Sequence, residues 1–430
     1  VIRRRPINDL PKPERGAGFL RVLLTHKLYE ITGGAEVFFH ETERVLRKNG
    51  HETMMVATGD PAAAHPDNVV LLEAPEYNSG GALSKLKNLP AAIYDRSKKR
   101  RMAEIIAEFK PDLMHVFAIN VHLSPSIVDA AYDAGVPVVA TFNDYKHICP
   151  NYKLFHHGKI CFDCKGRKFY NAPLNRCCKD NRALSVASSI EAYAHQFMGI
   201  YDRFDHFTFS SDFMAHTTQE FWPERDFSWS KLRNPFDSGA HHAQDVYEPF
   251  GLFFGRLIDE KGVDRIIEAA RLIDGFPIKI IGNGPDLESL QALTAKYGLT
   301  NVEFLGPKWG DELNMILSRA RFVIVPSIWH ENFPYVINQS FALGRPVIGS
   351  RRGGITELLA DGERGLVFEP DHPEELAAHI RRLAGNEEEA RRMGLAAKAY
   401  SDATFNDSVF NAELMQAYER GADAHSRRRR

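Results

Sequence analysis

The stretch from Arg321 to Gly349 constrains the fold most, because it holds a complete strand, loop, helix and second strand. Arg321 to Pro326 is a short apolar, β-branched run ended by proline, the pattern of a strand buried in a parallel sheet. Tyr335 to Leu343 then carries apolar residues at helical spacing, Gly344 supplies a stop, and Pro346 to Gly349 reads as the next strand. Glu331 falls in the loop at the carboxyl end of the first strand. Ligands of open α/β sheets bind outside such strand ends, and the free N–H groups of the following helix attract anions. The turn Phe333-Pro334-Tyr335-Val336 is therefore a candidate for holding a phosphate.

The same alternation runs through the chain. Strands are expected at Phe19 to Thr25, Glu52 to Ala57, Leu113 to Phe117, Val136 to Phe142 and Phe207 to Ser210. A second set follows at Phe250 to Phe254, Pro277 to Ile281, Val302 to Leu305, Phe322 to Val325, Pro346 to Gly349 and Gly365 to Phe368. A chain of 430 residues is too long for one ordinary core. The expected architecture is α/β, with two doubly wound Rossmann-like domains facing an interdomain cleft. The boundaries predicted are a tail at 1–18, a first domain at 19–233 with a cysteine-containing insertion at 149–180, and a second domain at 234–400. A helix at 401–422 is expected to cross back to the first domain, and 423–430 reads as a disordered basic tail.

Charge and hydropathy narrow the function. Lys plus Arg number 54 against 56 Asp plus Glu, a balance that argues against a nucleic-acid partner. No apolar run approaches the roughly 20 residues that cross a bilayer. The start, Val1-Ile2-Arg3-Arg4-Arg5-Pro6, has no hydrophobic core of a secretory signal, so a cytoplasmic enzyme is the expectation.

The segment around Glu331 resembles the donor-site motif of the GT4 family of retaining glycosyltransferases with the GT-B fold, of the type found in bacterial polysaccharide pathways. That family has two glutamates with seven residues between them; Glu331 matches the first, and Gln339 stands at the second. The resemblance implies that Glu331 holds the donor sugar and that Gln339 hydrogen-bonds ribose hydroxyls, since a glutamine carbonyl still accepts. In Gly255-Arg256-Leu257-Ile258-Asp259-Glu260-Lys261-Gly262, Arg256 ends a strand and Lys261 opens the next helix. Two cations there would stabilise charge on a departing diphosphate without a metal, although an exposed Arg and Lys beside a turn would look the same. Gly33-Gly34 opens the first long helix, and the family sets such a loop against the donor pyrophosphate; alone it reads as a turn. Where many relatives carry a histidine facing the sugar, this chain has Asn143, which hydrogen-bonds but cannot shuttle a proton.

The resemblance thus implies a metal-independent, retaining transfer from a nucleoside diphosphate sugar, UDP preferred, to a hydroxyl of a glycan or lipid-linked acceptor. The alternative is a degenerate GT-B scaffold that binds nucleotide or glycan without turnover, because Asn143 and Gln339 both remove an ionisable group. Epimerases and phosphorylases share the architecture but not this set of residues in this order.

Cys149, Cys161, Cys164 and Cys177, with Cys178 adjacent, form a second constellation. They suit a structural zinc, with His147, His156 or His157 able to replace one ligand; reduced thiols in a loop are the plain alternative. Tyr152, Lys153, Phe155, Phe169 and Tyr170 in this insertion, and Asn120 and His122 at a strand end, are acceptor-side candidates. The basic run Arg96-Ser97-Lys98-Lys99-Arg100-Arg101 suits either peripheral contact with an anionic membrane or a solvated helix face.

Overall fold

A computed structural model describes residues 18–60, 62–73, 90–120 and 122–430. Apart from Gly18, the expected tail lies outside the described residues. The chain divides into two compact units, one of residues 1–153, 162–235 and 410–430 and one of residues 154–161 and 236–409.

The first unit is built on a seven-stranded parallel sheet. Its strands are β1 (Arg21–His26), β2 (Glu52–Gly59), β3 (Val69–Glu73), β4 (Leu113–Val116), β5 (Val138–Phe142), β8 (His206–Phe209) and β9 (Trp229–Lys231); β6 (Phe155–His156) and β7 (Lys159–Ile160) form a separate small hairpin. The order is β3-β2-β1-β4-β5-β8-β9, so the direction of winding reverses between β1 and β4. Expected strands and observed ones agree to within two residues, while β3 and β9 are additions. Val22, Leu24, Val45, Met55, Leu113 and Val139 pack into one core with Phe410, Leu414 and Tyr418 of the last helix, Asp407–Arg429. Gly421 of that helix lies against Val139, where an added Cβ would come within 2.6 Å of the valine methyl.

The basic tail is part of this helix rather than disordered. Buried Asp205 gives the physical reason: its carboxylate lies 3.2 Å from His425 Nδ1 and 3.0 Å from Arg428, and it accepts from the Val138 amide at 2.8 Å. A buried carboxylate without such donors would be costly.

The second unit has a six-stranded parallel sheet of β10 (Gly251–Phe254), β11 (Ile278–Ile281), β12 (Val302–Gly306), β13 (Phe322–Val325), β14 (Val347–Ser350) and β15 (Gly365–Phe368). Its order, β12-β11-β10-β13-β14-β15, reverses between β10 and β13. Apolar cores cover both faces, one including Ile266, Ile280, Ile324 and Ile380, the other Leu252, Val323, Ile337 and Val367. Burial on both faces explains why these strands read as continuous apolar runs. Arg345 is fully buried, yet its guanidinium donates to the carbonyls of Leu343, Val246, Ala320 and Gln244 and lies over the Tyr247 ring.

Several buried imidazoles in the first unit set its acid stability. Burial lowers the pKa of His115 from 6.5 to about 3, and that of His147 to about 3, although for His147 the Asp144 backbone carbonyl acts in the opposite direction. The unfolded chain takes up these protons below about pH 6.5, whereas the folded chain does not until about pH 3, so the favourable term is complete above pH 6.5 and falls as pH drops. Each imidazole should cost roughly 2 kcal/mol of stability by pH 5. Urea unfolding of the full chain at a series of pH values should show that decline, and His115→Gln should flatten it; a midpoint constant from pH 7 to 5 would contradict this account.

Candidate functional site

The loops at the carboxyl ends of β10 and β13 flank the point where the second sheet reverses direction, and each contributes one charged partner. Lys261 ends a short 3-10 turn, Asp259–Lys261, after β10. Glu331 follows β13 and is only 6% exposed. Their side chains meet at 2.5 Å, and Ser327 Oγ donates to the same Glu331 oxygen at 2.8 Å. Burial alone would raise the Glu331 pKa, but the nearby Lys261 charge and the hydrogen bonds from Lys261 and Ser327 prevail and hold it below the usual carboxylate value. Glu331 is thus an anion at neutral pH.

Arg256 stands exposed in the loop between β10 and that turn, and among the described residues it forms no ion pair. Its surroundings are less cationic than the octapeptide suggests. Burial, reinforced by Asp264, Glu260 and Asp286, raises the Asp259 pKa, so carboxylates crowd this loop. Since Lys261 is matched by Glu331, Arg256 is the unmatched cation of the pair of residues named from the sequence.

Backbone packing fixes the loop geometry. Gly262 has φ +64°, and a Cβ there would fall 2.3 Å from the Pro326 carbonyl oxygen. Gly353 has φ +58°, and its Cβ would fall 2.1 Å from the Glu331 carbonyl oxygen, which accepts from the Gly354 amide at 2.7 Å. The loop after β14 therefore presses directly on Glu331. Ser327, Gly353 and Gly354 were not singled out from the sequence; the Gly-Gly pair after a predicted strand was the available signal.

The phosphate-turn candidates occupy the entrance to the helix Tyr335–Ala342. Pro334 sits at its N-cap with no amide hydrogen to offer, so it shapes the turn and cannot donate. Phe333 is buried and its ring packs edge-on against Phe405 at 5.8 Å, a core role. Tyr335, Val336 and Gln339 are half-buried on the first and second turns. Burial, with Arg352 nearby, lowers the neighbouring His330 to a pKa of about 4, which leaves it neutral at pH 7.

In the first unit, Gly33 and Gly34 are exposed at the start of the helix Gly34–Lys48, which no side chain caps. Gly33 is extended, with room for a Cβ, so open amides rather than forced backbone geometry characterise this turn. Beneath it Glu36 is buried, accepting from Thr32 at 3.2 Å and lying 3.8 Å from His26. Asn143 follows β5 and lines a narrow crevice with Asn120, Asp144, Tyr201 and Phe204. Phe155 and Phe169 are 4% and 2% exposed, so packing removes them from acceptor contact.

The thiols divide. Cys161 follows β7, its amide donating to the Leu154 carbonyl at 2.9 Å. Cys149, Cys164, Cys177 and Cys178 share another neighbourhood: the Cys177 thiol is pushed far up, first by its hydrogen bond with Cys178, then by burial and the nearness of Cys178, Cys149 and Cys164. No cysteine is in a disulfide.

Residues 32–226 match the model of Glycosyltransferase Family 4, and residues 240–400 match that of Glycosyl transferases group 1. The chain belongs to these glycosyltransferases. It is similar to an uncharacterized glycosyltransferase of Methanocaldococcus jannaschii, with 37% identity over 152 residues, 35% of this chain and 43% of that protein. It is also similar to a D-inositol 3-phosphate glycosyltransferase of Streptomyces griseus, 31% identical over 200 residues, 44% of this chain and 42% of that one. The chain thus spans less than half the length of these curated relatives. Among solved structures, sucrose-phosphate synthase from Thermosynechococcus elongatus superposes with a TM-score of 0.69 at 16% identity, covering 93% of this chain and 98% of that one. The Anabaena protein HepE, in complex with UDP, gives 0.67 at 16% identity over 93% and 100% of the two chains. The fold is GT-B, with two Rossmann-like domains.

Two glycines of this glycosyltransferase should respond differently to substitution. Gly353→Ala meets both a positive φ and the Glu331 backbone, so a loss of about 2 kcal/mol or more is expected, whereas Gly33→Ala should change stability by less than about 1 kcal/mol. Chemical denaturation of both variants distinguishes the two cases, and equal effects would refute the assigned geometry.

Proposed function

We propose that this chain transfers a sugar from a nucleoside diphosphate donor, with UDP preferred, to a hydroxyl of a glycan or lipid-linked acceptor, with retention of configuration. The observation that carries the reading is the Lys261–Glu331 pair at the reversal point of the second sheet, with Arg256 in the same loop system. Glu331, held as an anion, would accept from donor-sugar hydroxyls, Gln339 from ribose, and the turn at Tyr335 and Val336 would approach a phosphate. Gly33 and Gly34 are proposed to contact the pyrophosphate through open amides, and Asn143 to orient the sugar by a hydrogen bond.

In the proposed reaction the bond from the anomeric carbon to the β-phosphate oxygen breaks, and the acceptor oxygen bonds to that carbon from the same face. The acceptor proton passes to the departing phosphate. Arg256 and Lys261 stabilise the charge that gathers there, so no metal is needed for this step. The UDP complex of HepE supports the choice of nucleotide, and participation in polysaccharide biosynthesis is supported by relatives such as the amylovoran biosynthesis glycosyltransferase of Erwinia amylovora.

Cys149, Cys164, Cys177 and Cys178, four thiols in one neighbourhood, also fit a thiophilic metal such as zinc, to which we assign a structural role there. Elemental analysis of purified chain should find stoichiometric zinc, and Cys164→Ser should lower both zinc content and thermal stability.

The test of the reaction is release of UDP from a panel of UDP-sugars, alongside thermal shift with UDP. Stabilisation by UDP is expected, and Arg256→Ala, Lys261→Met and Glu331→Ala should each reduce turnover by about 100-fold or more. Binding without any turnover across donors and acceptors would select the scaffold reading, which the neutral Asn143 and Gln339 favour.

A further inference from the structure

We infer that the helix Arg182–Phe197 of the first unit docks this chain on an anionic lipid bilayer. Val186, Ile190, Tyr193 and Phe197 are spaced four, three and four residues apart, which puts them on one face of the helix. They are 41%, 46%, 41% and 94% exposed, and Leu174 of the adjoining short helix Asn171–Asn175 is 64% exposed. The rest of the helix surface holds the fold: Ser185 and Ser189 are buried on one flank, and Glu191 and His195 on the opposite face, with Glu191 paired to Lys146 at 2.8 Å and His195 Nε2 bonded to the Ile93 carbonyl at 3.0 Å. The helix is thus anchored by its polar side and presents its apolar side to solvent. That inversion of the usual arrangement for a surface helix demands an apolar occupant.

Charge identifies the occupant. Arg167, Lys168, Arg176, Lys179 and Arg182 lead into the stripe; all five are exposed, and among the described residues none forms an ion pair. At the far end, Met198 lines a groove with Arg96, Lys99 and Arg203. Those last two are matched by Asp133 at 2.7 Å and Asp129 at 2.8 Å, so net positive charge concentrates at the start of the stripe. The basic run in Arg96–Phe109 is likewise mostly neutralised, with Lys98 beside Asp95 and Arg101 on Glu104. Exposed leucine, isoleucine and phenylalanine beside unpaired lysine and arginine match a lipid surface, where apolar side chains enter the acyl boundary and cations meet phosphate headgroups.

The full chain should co-sediment with vesicles of phosphatidylcholine mixed with phosphatidylglycerol, more weakly with phosphatidylcholine alone, and less as salt rises. The double variant Ile190→Asp, Phe197→Asp should lower binding by about tenfold or more with an unchanged melting temperature, because both side chains are exposed. The triple variant Arg176→Gln, Lys179→Gln, Arg182→Gln should lose the preference for phosphatidylglycerol. Failure of the wild-type chain to sediment, or equal sedimentation of the double variant, would overturn the inference. So would a concentration-dependent dimer that the double variant abolishes without any vesicle binding, since the stripe would then be covered by a second copy.

Discussion

The ion pair between Lys261 and Glu331 joins the loops on either side of the one place in the second sheet where neighbouring strands wind in opposite directions. At every other step along that sheet a helix returns the chain to the next strand, and the crossover covers the sheet. At the reversal the crossovers leave to opposite sides and open a crevice at the strand ends. A charge pair placed there must bear desolvation. Ser327 on the same carboxylate oxygen, together with the Lys261 ammonium, offsets the cost, and removal of either charge would leave the other uncompensated, a loss of about 3–5 kcal/mol for a buried pair. Gly262 and Gly353 follow from the same arrangement, because each lets a backbone segment lie against the β13 loop at a distance no other residue permits.

Strand interiors were legible from sequence because parallel strands buried on both faces must be apolar throughout. Phe322–Val325 and Gly365–Phe368 fall at the expected residues. Trp229–Lys231 was not legible: three residues at a sheet edge, two of them polar, carry no period. Strand order left no mark on the local sequence either, so Lys261 and Glu331 could be named without the reason they meet. Glu331 was legible through its spacing to Gln339, but Ser327 and Gly353 depend on contacts across loops that only the sheet order creates.

Charge runs were the least legible feature, for a different reason. Counting cations in a segment says nothing about acids brought to it from elsewhere, and Asp133 and Glu104 neutralise much of the run at Arg96 to Arg101. The terminal arginines show the converse: Asp205, remote in sequence, recruits Arg428 and His425 and makes a helix of what reads as a solvated tail. Aromatic residues of the insertion divide on the same principle, Phe155 and Phe169 being core while Tyr170 is exposed.

The protonation states at the strand ends bear on where the acceptor proton goes in the proposed reaction. A general base works best with a pKa near the working pH. Burial lowers His26 to about 4, and His330 and His147 are held at about 4 and about 3; His122 is also pushed down, by burial and by Lys27 and Lys98. His26, His330 and His147 are neutral at pH 7, but with so little basicity that taking a proton from a hydroxyl gives almost no driving force. Asn143 has none to give. Of the groups the proposal brings to the anomeric carbon, the departing phosphate is the one whose basicity grows as the bond breaks, so loss of a titrating residue at position 143 is consistent with turnover. A chain whose only defect were that asparagine would bind its donor and still transfer it.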